Sequence, residues 1–147
     1  MRTGYKQQGV LLSVSTALGP DALLLDTVQG SEGISQLFGF TLTMRSSSNA
    51  LKASDVIGKS ATVTLESDKN RKRHVNGIVA RFAYLGSSTD FALYTAEIVP
   101  SLWLLTLGKD RVIYQNMSTP DIVASVLDDF GVRFERKLSG SYATREY

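Results

Sequence analysis

The residue most able to act as a base near neutral pH is histidine, and the sequence contains one, His74. It follows Arg71, Lys72 and Arg73 directly, within a run of basic residues. A hydrolytic triad would also need a distant serine and a carboxylate such as Asp68 or Asp90, and no G-x-S-x-G elbow is present. We therefore predict no catalytic residue and interpret His74 as part of a hairpin strand. A hydrolase that uses His74 is the alternative.

The residue types also argue against a metal or cofactor site. The chain has no cysteine, which excludes a disulfide, a thiolate metal site and a cysteine nucleophile. Asp128 and Asp129 are adjacent, so on a helix their side chains point in different directions. No EF-hand pattern of acids occurs. We predict no cofactor and no metal, and we interpret the two acids as a solvated face.

The cluster KNRKRH at residues 69–74 is the one concentrated charge feature. A basic run can mark nucleic-acid binding, but this one lies between two predicted strands and contains no aromatic residue to stack on bases. Gly30, Gly33 and Gly39 are spaced as turn residues, without the lysine of a phosphate-binding loop. We predict a solvated or partner-contacting loop and no nucleic-acid partner. A nucleic-acid-binding module that uses residues 69–74 is a further alternative.

Composition indicates one globular domain. The chain has 147 residues and a formal net charge of +2. No apolar run approaches the roughly 20 residues needed to cross a bilayer. Near the start, Val10, Leu12 and Val14 alternate with polar residues, which favours a strand over a secretory signal. The lack of cysteine is compatible with the cytoplasm.

The elements that would position these residues are mainly strands. Apolar residues alternate with polar ones at Phe38 to Met44 and again at Ala61 to Leu65. After the polar loop 67–72, residues 73–85 form a predicted hairpin partner, and residues 91–99 supply another strand. The pattern predicts two consecutive hairpins.

Two helices are predicted in the remaining sequence. The segment 118–131 has Ser118 as N-cap, Pro120 in the first turn and Gly131 at its end. Its apolar stripe comprises Ile122, Val123, Val126, Leu127 and Phe130. A shorter helix is predicted over Leu102 to Leu107, and its apolar residues wrap most of the way round. Such a helix is usually buried, so we expect Trp103 to be an internal plug.

Several separated blocks together resemble one protein family. The blocks are SEGISQLFGFTLTMRS, IGKSATVTLE, HVNGIVARFAYLG and IVPSLWLLTLGKDRVIYQNMSTPDIVASVLDDFGV. In order and spacing they resemble the N-terminal region of VgrG, the spike protein of bacterial type VI secretion systems and a relative of the hub proteins of contractile phage tails. The resemblance extends over residues 10–147, and includes an apolar run, a charged turn and a following strand at residues 100–115.

The resemblance implies a fold and a domain organisation. It implies a mainly β (α+β) chain with a barrel-like antiparallel β module, one short helix and one longer helix, as in phage baseplate hubs. We expect a single, incomplete hub domain. In it, residues 1–9 would be an N-terminal tail, 10–100 the β-barrel-like module, and 101–147 a helical insertion and the start of the next module.

The resemblance also implies a mechanical function without catalysis. In the family, three copies form a ring that presents pseudo-sixfold symmetry to a hexameric tube and seats the puncturing tip on it. Expected partners are therefore the tube protein and other copies of the chain, with no small-molecule substrate. The family implies assembly in the bacterial cytoplasm and delivery by the type VI apparatus, and a prophage tail hub is the alternative. Because the downstream β-helix of the family is missing here, we expect the chain alone to associate weakly.

Overall fold

The polypeptide divides into two units, Met1–Pro100 and Ser101–Tyr147, and each is described by itself. A computed structural model describes residues 5–7, 9–67 and 71–147. Among these residues, no helix has the length and apolarity that crossing a membrane requires.

The first unit is a curled, half-barrel antiparallel sheet. Its strands are β1 (Leu12–Ser15), β2 (Leu24–Ser31), β3 (Gly39–Ser46), β4 (Ser60–Glu66), β5 (Lys72–Ser87) and β6 (Ala92–Val99). They lie in the order β1-β4-β5-β6-β3-β2, so that β1 and β2 are the outer strands. A three-residue 3-10 helix, Ala53–Asp55, lies between β3 and β4. The predicted mainly β, barrel-like fold is confirmed.

The two predicted hairpins, β4–β5 and β5–β6, are both present. The first half of the 16-residue strand β5 pairs with β4 and its second half pairs with β6. The β5–β6 register shifts twice, between Val79 and Arg81 and between Tyr84 and Gly86. Such bulges increase the local twist of a strand, which helps the sheet to curl.

The core of this unit is formed by alternate strand residues together with residues of the loops. Alternate residues of β3 and β4 are buried, including Leu42, Met44, Ala61 and Val63, as their period of two predicts. Tyr94 of β6 is 1% exposed and its ring stacks on that of Phe82, with centroids 5.2 Å apart. Further core residues are Val14, Leu23, Val56, Val75, Val79, Ala92, Ala96 and Ile98.

The second unit contains a 3-10 helix, Ser101–Thr106, and one α-helix, α1 (Thr119–Asp129). Two short strands, β7 (Met117–Ser118) and β8 (Thr144–Arg145), pair antiparallel. The Ser118 side chain caps α1 by accepting from the Asp121 amide, and Gly131 has a φ of 64° just past its end. The predicted start and stop signals of this helix are therefore confirmed.

Burial in the second unit differs from the prediction. No residue of the Ser101–Thr106 helix is buried, and Leu102 is 43% exposed, so the prediction of an internal plug around Trp103 is wrong. One 11-residue helix and two two-residue strands supply too little surface within this unit to surround a helix on all sides. The strand predicted to follow the charged turn, at residues 111–115, is also absent from the described structure.

Candidate functional site

His74 lies near the start of β5 and does not form part of a triad with Asp90. Its Nδ1 atom is 3.0 Å from the Thr64 hydroxyl on β4, its cross-strand partner. Asp90 comes after the other end of the 16-residue strand, so most of the length of β5 separates the two residues. Asp68, the other carboxylate considered, lies outside the described residues. The arrangement is that of a polar cross-strand pair on an exposed face.

The basic cluster is partly neutralised by acidic neighbours. Lys72 Nζ lies 3.4 Å from Glu66 Oε2, and Arg73 forms an ion pair with Glu32. Lys69 and Asn70 lie outside the described residues. Two of the cluster's cations therefore have carboxylate partners, which weakens the field that would attract a polyanion.

His74 and Lys72 belong to a polar row on the outer face of the β4–β5 hairpin. The row pairs Glu66 with Lys72, Thr64 with His74, and Thr62 with Asn76. Asn76 Nδ2 donates to the Thr62 hydroxyl at 2.8 Å and also approaches the Ser60 hydroxyl at 3.1 Å. Because these side chains bond to one another, the row is a charge-balanced surface suited to contact with another protein or with water.

Asp128 and Asp129 are both exposed near the end of α1. In the part of the chain that the structure describes, no group of three or more histidine, aspartate or glutamate side chains is placed to hold a metal ion. The two acids thus provide a charged surface on the helix.

The second unit instead presents apolar side chains at its surface. Ile113 is 81% exposed and Leu107 is 64% exposed. A groove of about 540 Å³ runs between α1 and the segment after it, lined by Val123, Leu127, Phe134, Leu138 and Tyr142 among others. Exposed apolar surface of this kind is typical of protein–protein contact regions. Sequence patterns did not predict this exposure, because the same residue types would equally fill a core.

A second region missed by sequence reasoning is the seam between β1 and β2. Here the side chain of Gln7, to which the sequence assigned no role, hydrogen-bonds to both outer strands. A cleft of about 560 Å³ adjoins it, lined by residues that include Tyr5, Leu11, Leu24 and Phe91. No spacing signal marks a single glutamine of this kind in a sequence.

Comparison with known proteins identifies a matching family and several relatives of this chain. Residues 31–147 match the family described as phage tail baseplate hub (GPD). The type VI secretion system spike protein VgrG1c of Pseudomonas aeruginosa is 38% identical over 97% of this chain, and VgrG1b of the same species is 37% identical over 96%. VgrG3 of Vibrio cholerae is 24% identical over 88% of the chain.

The chain spans about a fifth or less of the length of these relatives: 20% of VgrG1c, 19% of VgrG1b and 14% of VgrG3. Among solved structures it is similar to the E. coli c3393 protein, a component of the type VI secretion system that exhibits structural similarity to the T4 bacteriophage tail proteins gp27 and gp5. That similarity has a TM-score of 0.67 and 25% identity, and covers 95% of this chain and 36% of the other.

The family match covers most of the chain, and the relatives and the solved structure agree with it in both sequence and fold. The resemblance read from the sequence blocks is confirmed. The chain belongs to the phage tail baseplate hub family and corresponds to the N-terminal hub region of the VgrG spike proteins.

Proposed function

We propose that this chain is the hub portion of a contractile secretion spike, where it seats the puncturing tip on a hexameric tube. The observation that carries the proposal is the hub-family match over residues 31–147, joined to the structural similarity with a type VI secretion component over 95% of the chain. The matched relatives are spike proteins by name, which supports a structural role. Seating on the tube and self-association as a trimer are the specific parts of this proposal.

The surfaces of both units suit a function carried out through protein contacts. The first unit exposes the charge-balanced row of β4 and β5, and the second exposes Leu107, Ile113 and the apolar groove beside α1. Apolar surface of this kind gains free energy when another protein covers it. We propose that the second unit's apolar surface contacts other subunits or the tube, and that the chain catalyses no reaction.

A binding experiment tests the tube contact. The hexameric tube protein of the same secretion system is mixed with the purified chain, and the complex is detected by analytical ultracentrifugation. We expect co-sedimentation, weakened at least tenfold in affinity by Ile113→Asp combined with Leu107→Asp. Ile34→Asp is the matched control, because Ile34 is 97% exposed and lies in the first unit. Failure of both the chain and the longer protein that contains it to bind the tube would refute the seating proposal.

The same ultracentrifugation experiments also measure self-association. A trimer in the longer protein that contains the chain would support the ring arrangement, and a monomeric longer protein would contradict it. We expect the chain by itself to be a monomer or a loose oligomer at micromolar concentration. Stable complexes usually bury about 1,200 to 2,000 Å² of surface, and we expect the interface formed by this chain alone to be smaller.

The names of the relatives favour a secretion spike over a prophage tail hub. We therefore propose assembly in the bacterial cytoplasm and delivery by the type VI apparatus. Detection of the protein in culture medium, lost when the contractile sheath is inactivated, is the expected result. Recovery of the protein in phage particles would favour the tail-hub alternative.

A further inference from the structure

Among the described residues, the side chain of Gln7 hydrogen-bonds to both outer strands of the half-barrel. Strands β1 and β2 are the two edges of the sheet, and in the described part of the chain no ladder pairs them with each other. The Gln7 side chain bridges the gap: Nε2 donates to the Val14 carbonyl at 3.0 Å and to the Leu23 carbonyl at 2.9 Å. Its Oε1 accepts from the Val14 amide at 2.8 Å and from the Leu25 amide at 3.2 Å.

These four bonds use the full hydrogen-bonding capacity of a carboxamide, which has two donor hydrogens and an oxygen with two lone pairs. A carboxamide has the same kinds of donor and acceptor as a peptide group, with one additional N–H. The Gln7 side chain therefore satisfies backbone groups of Val14, Leu23 and Leu25 that an additional strand would otherwise pair. Edge strands in proteins are usually covered or otherwise protected, and here the protection comes from a side chain.

The glutamine is held in place from two sides. Its own backbone amide donates to Asp21 Oδ1 at 2.9 Å, and Asp21 has a φ of 57° in the loop between the two outer strands. Two residues earlier, the Tyr5 ring lies 4.7 Å from the ring of Phe91. The segment therefore lies along the seam, fixed by a polar contact at one point and an aromatic contact at another.

We propose that Gln7 is a latch that closes the half-barrel between β1 and β2, and that the sheet opens at this seam before it opens elsewhere. Every other neighbouring pair of strands is joined by a ladder of four to eight residue pairs. The latch can be released by rotation of one half-buried side chain beside a cleft of about 560 Å³. Val14 and Leu23 also belong to the buried core. Because regions held by few hydrogen bonds open at low free energy, we expect the seam to be the weakest closure of the unit.

Amide hydrogen exchange measured by NMR tests the latch. In the unmodified chain, the amides of Val14 and Leu25 should have lower protection factors than ladder-bonded core amides of β3 and β6. In Gln7→Ala, exchange at Val14 and Leu25 should become at least tenfold faster while the core amides keep their protection. Gln29→Ala is the matched control, because Gln29 is an exposed glutamine on β2 that makes none of these contacts.

Gln7→Glu separates a hydrogen-bonding latch from simple packing. A carboxylate can accept from Val14 and Leu25 but cannot donate to the two carbonyls, which it also repels. We expect lowered protection at neutral pH and partial recovery below pH 4, where the protonated group regains one donor. Protection factors remove the intrinsic pH dependence of exchange from this comparison.

Two results would overturn the proposal. One is unchanged protection at Val14 and Leu25 in Gln7→Ala; the other is an equal loss at every strand of the unit, which would make Gln7 a general stabiliser. If Gln7→Ala does not fold, the unmodified chain still decides the matter. Protection at Val14 and Leu25 that equals or exceeds that of the core amides would refute an early-opening seam.

Discussion

At the scale of single residues, Gly77 is a position where the absence of a side chain is required by packing. It is buried in the long strand β5, opposite Ala61 of β4. A Cβ atom added there would lie 2.4 Å from the Val99 carbonyl oxygen and 3.2 Å from the Phe38 ring. The first of these neighbours is backbone, which cannot move aside without disturbing β6. The glycine thus permits a close approach between neighbouring parts of the sheet.

We expect Gly77→Ala to destabilise the chain by about 1 to 3 kcal/mol, the usual cost of overpacking a core. Gly39→Ala is the matched control, since Gly39 is also a strand residue and a Cβ there has no neighbour within 4 Å. It should change the free energy of unfolding by less than about 0.5 kcal/mol, as for a surface substitution. Urea denaturation followed by circular dichroism measures both. Equal stabilities of the two variants would show that β5 relaxes around the new methyl group.

Trp103 and Tyr94 are both large aromatic residues, but they differ in burial. Trp103 is half-buried, whereas Tyr94 is 1% exposed, bonds through its hydroxyl to the Ser48 carbonyl and stacks on Phe82. We expect Trp103→Ala to cost about 1 to 2 kcal/mol, and Tyr94→Ala to cost about 3 to 5 kcal/mol, the range for large buried aromatic residues. Denaturation curves followed by far-ultraviolet circular dichroism measure the difference. A larger loss of stability for Trp103→Ala than for Tyr94→Ala would instead support the prediction that Trp103 is an internal plug.

At the scale of elements, the start of α1 is held by a small polar network. Asp121 hydrogen-bonds to the Ser118 side chain, and its Oδ1 atom lies 2.9 Å from Arg136 Nη1. Negative charge in the first turn also interacts favourably with the helix dipole. The network joins the helix cap to the chain segment that follows the helix. It does so with residues that are exposed, so water and salt can weaken it.

This network makes the helix sensitive to acid. The hydrogen bond from Ser118, and then the bond and charge of Arg136, hold the pKa of Asp121 below its ordinary value of 3.8. Because the folded pKa is the lower one, the stabilising contribution is fully present above pH 3.8. It is lost as the pH falls through the folded pKa. We expect helical circular dichroism to be constant from pH 7 to 5 and to decrease on further acidification.

Asp121→Asn removes the ionisable group and should reduce that acid dependence, while Asp129→Asn, at the other end of α1, serves as the matched control. Ser118→Ala should cost about 1 kcal/mol at neutral pH, the usual effect of losing an N-cap. An acid transition that is identical in Asp121→Asn and the unmodified chain would assign the pH dependence to other carboxylates.

At the scale of the whole molecule, charge is nearly balanced. The formal net charge is +2, and the basic cluster at residues 69–74 has acidic partners on two of its cations. Binding of a protein to nucleic acid depends on the release of counterions from phosphates by unpaired cations. We therefore expect the molecule to hold a polyanion poorly at physiological salt.

We expect no micromolar binding to duplex or single-stranded DNA near 150 mM salt. Fluorescence anisotropy over a salt series measures it, with the triple variant Arg71→Glu, Lys72→Glu and Arg73→Glu as control. Binding that falls steeply with salt and disappears in the triple variant would instead support a nucleic-acid-binding module.

By itself, the sequence determined the features that depend on local patterns. The period of two in residues 38–45 and 61–65 predicted β3 and β4, and Ser118, Pro120 and Gly131 predicted the limits of α1. The order of the blocks also indicated the hub family. These features depend on side-chain alternation, capping and backbone preference, which act over a few residues.

Only the tertiary structure decided the features that depend on distant partners. Strand β2 was not predicted, because its residues do not alternate and its pairing with β3 includes a register shift. Tryptophan and its apolar neighbours are residue types that usually lie in a core, yet no residue of the Ser101–Thr106 helix, which includes Trp103, is buried. Gln7 acquires a role solely because the curl of the sheet places β1 and β2 on either side of its carboxamide. Curl, burial and edge closure arise from the packing of whole strands, which no short stretch of sequence encodes.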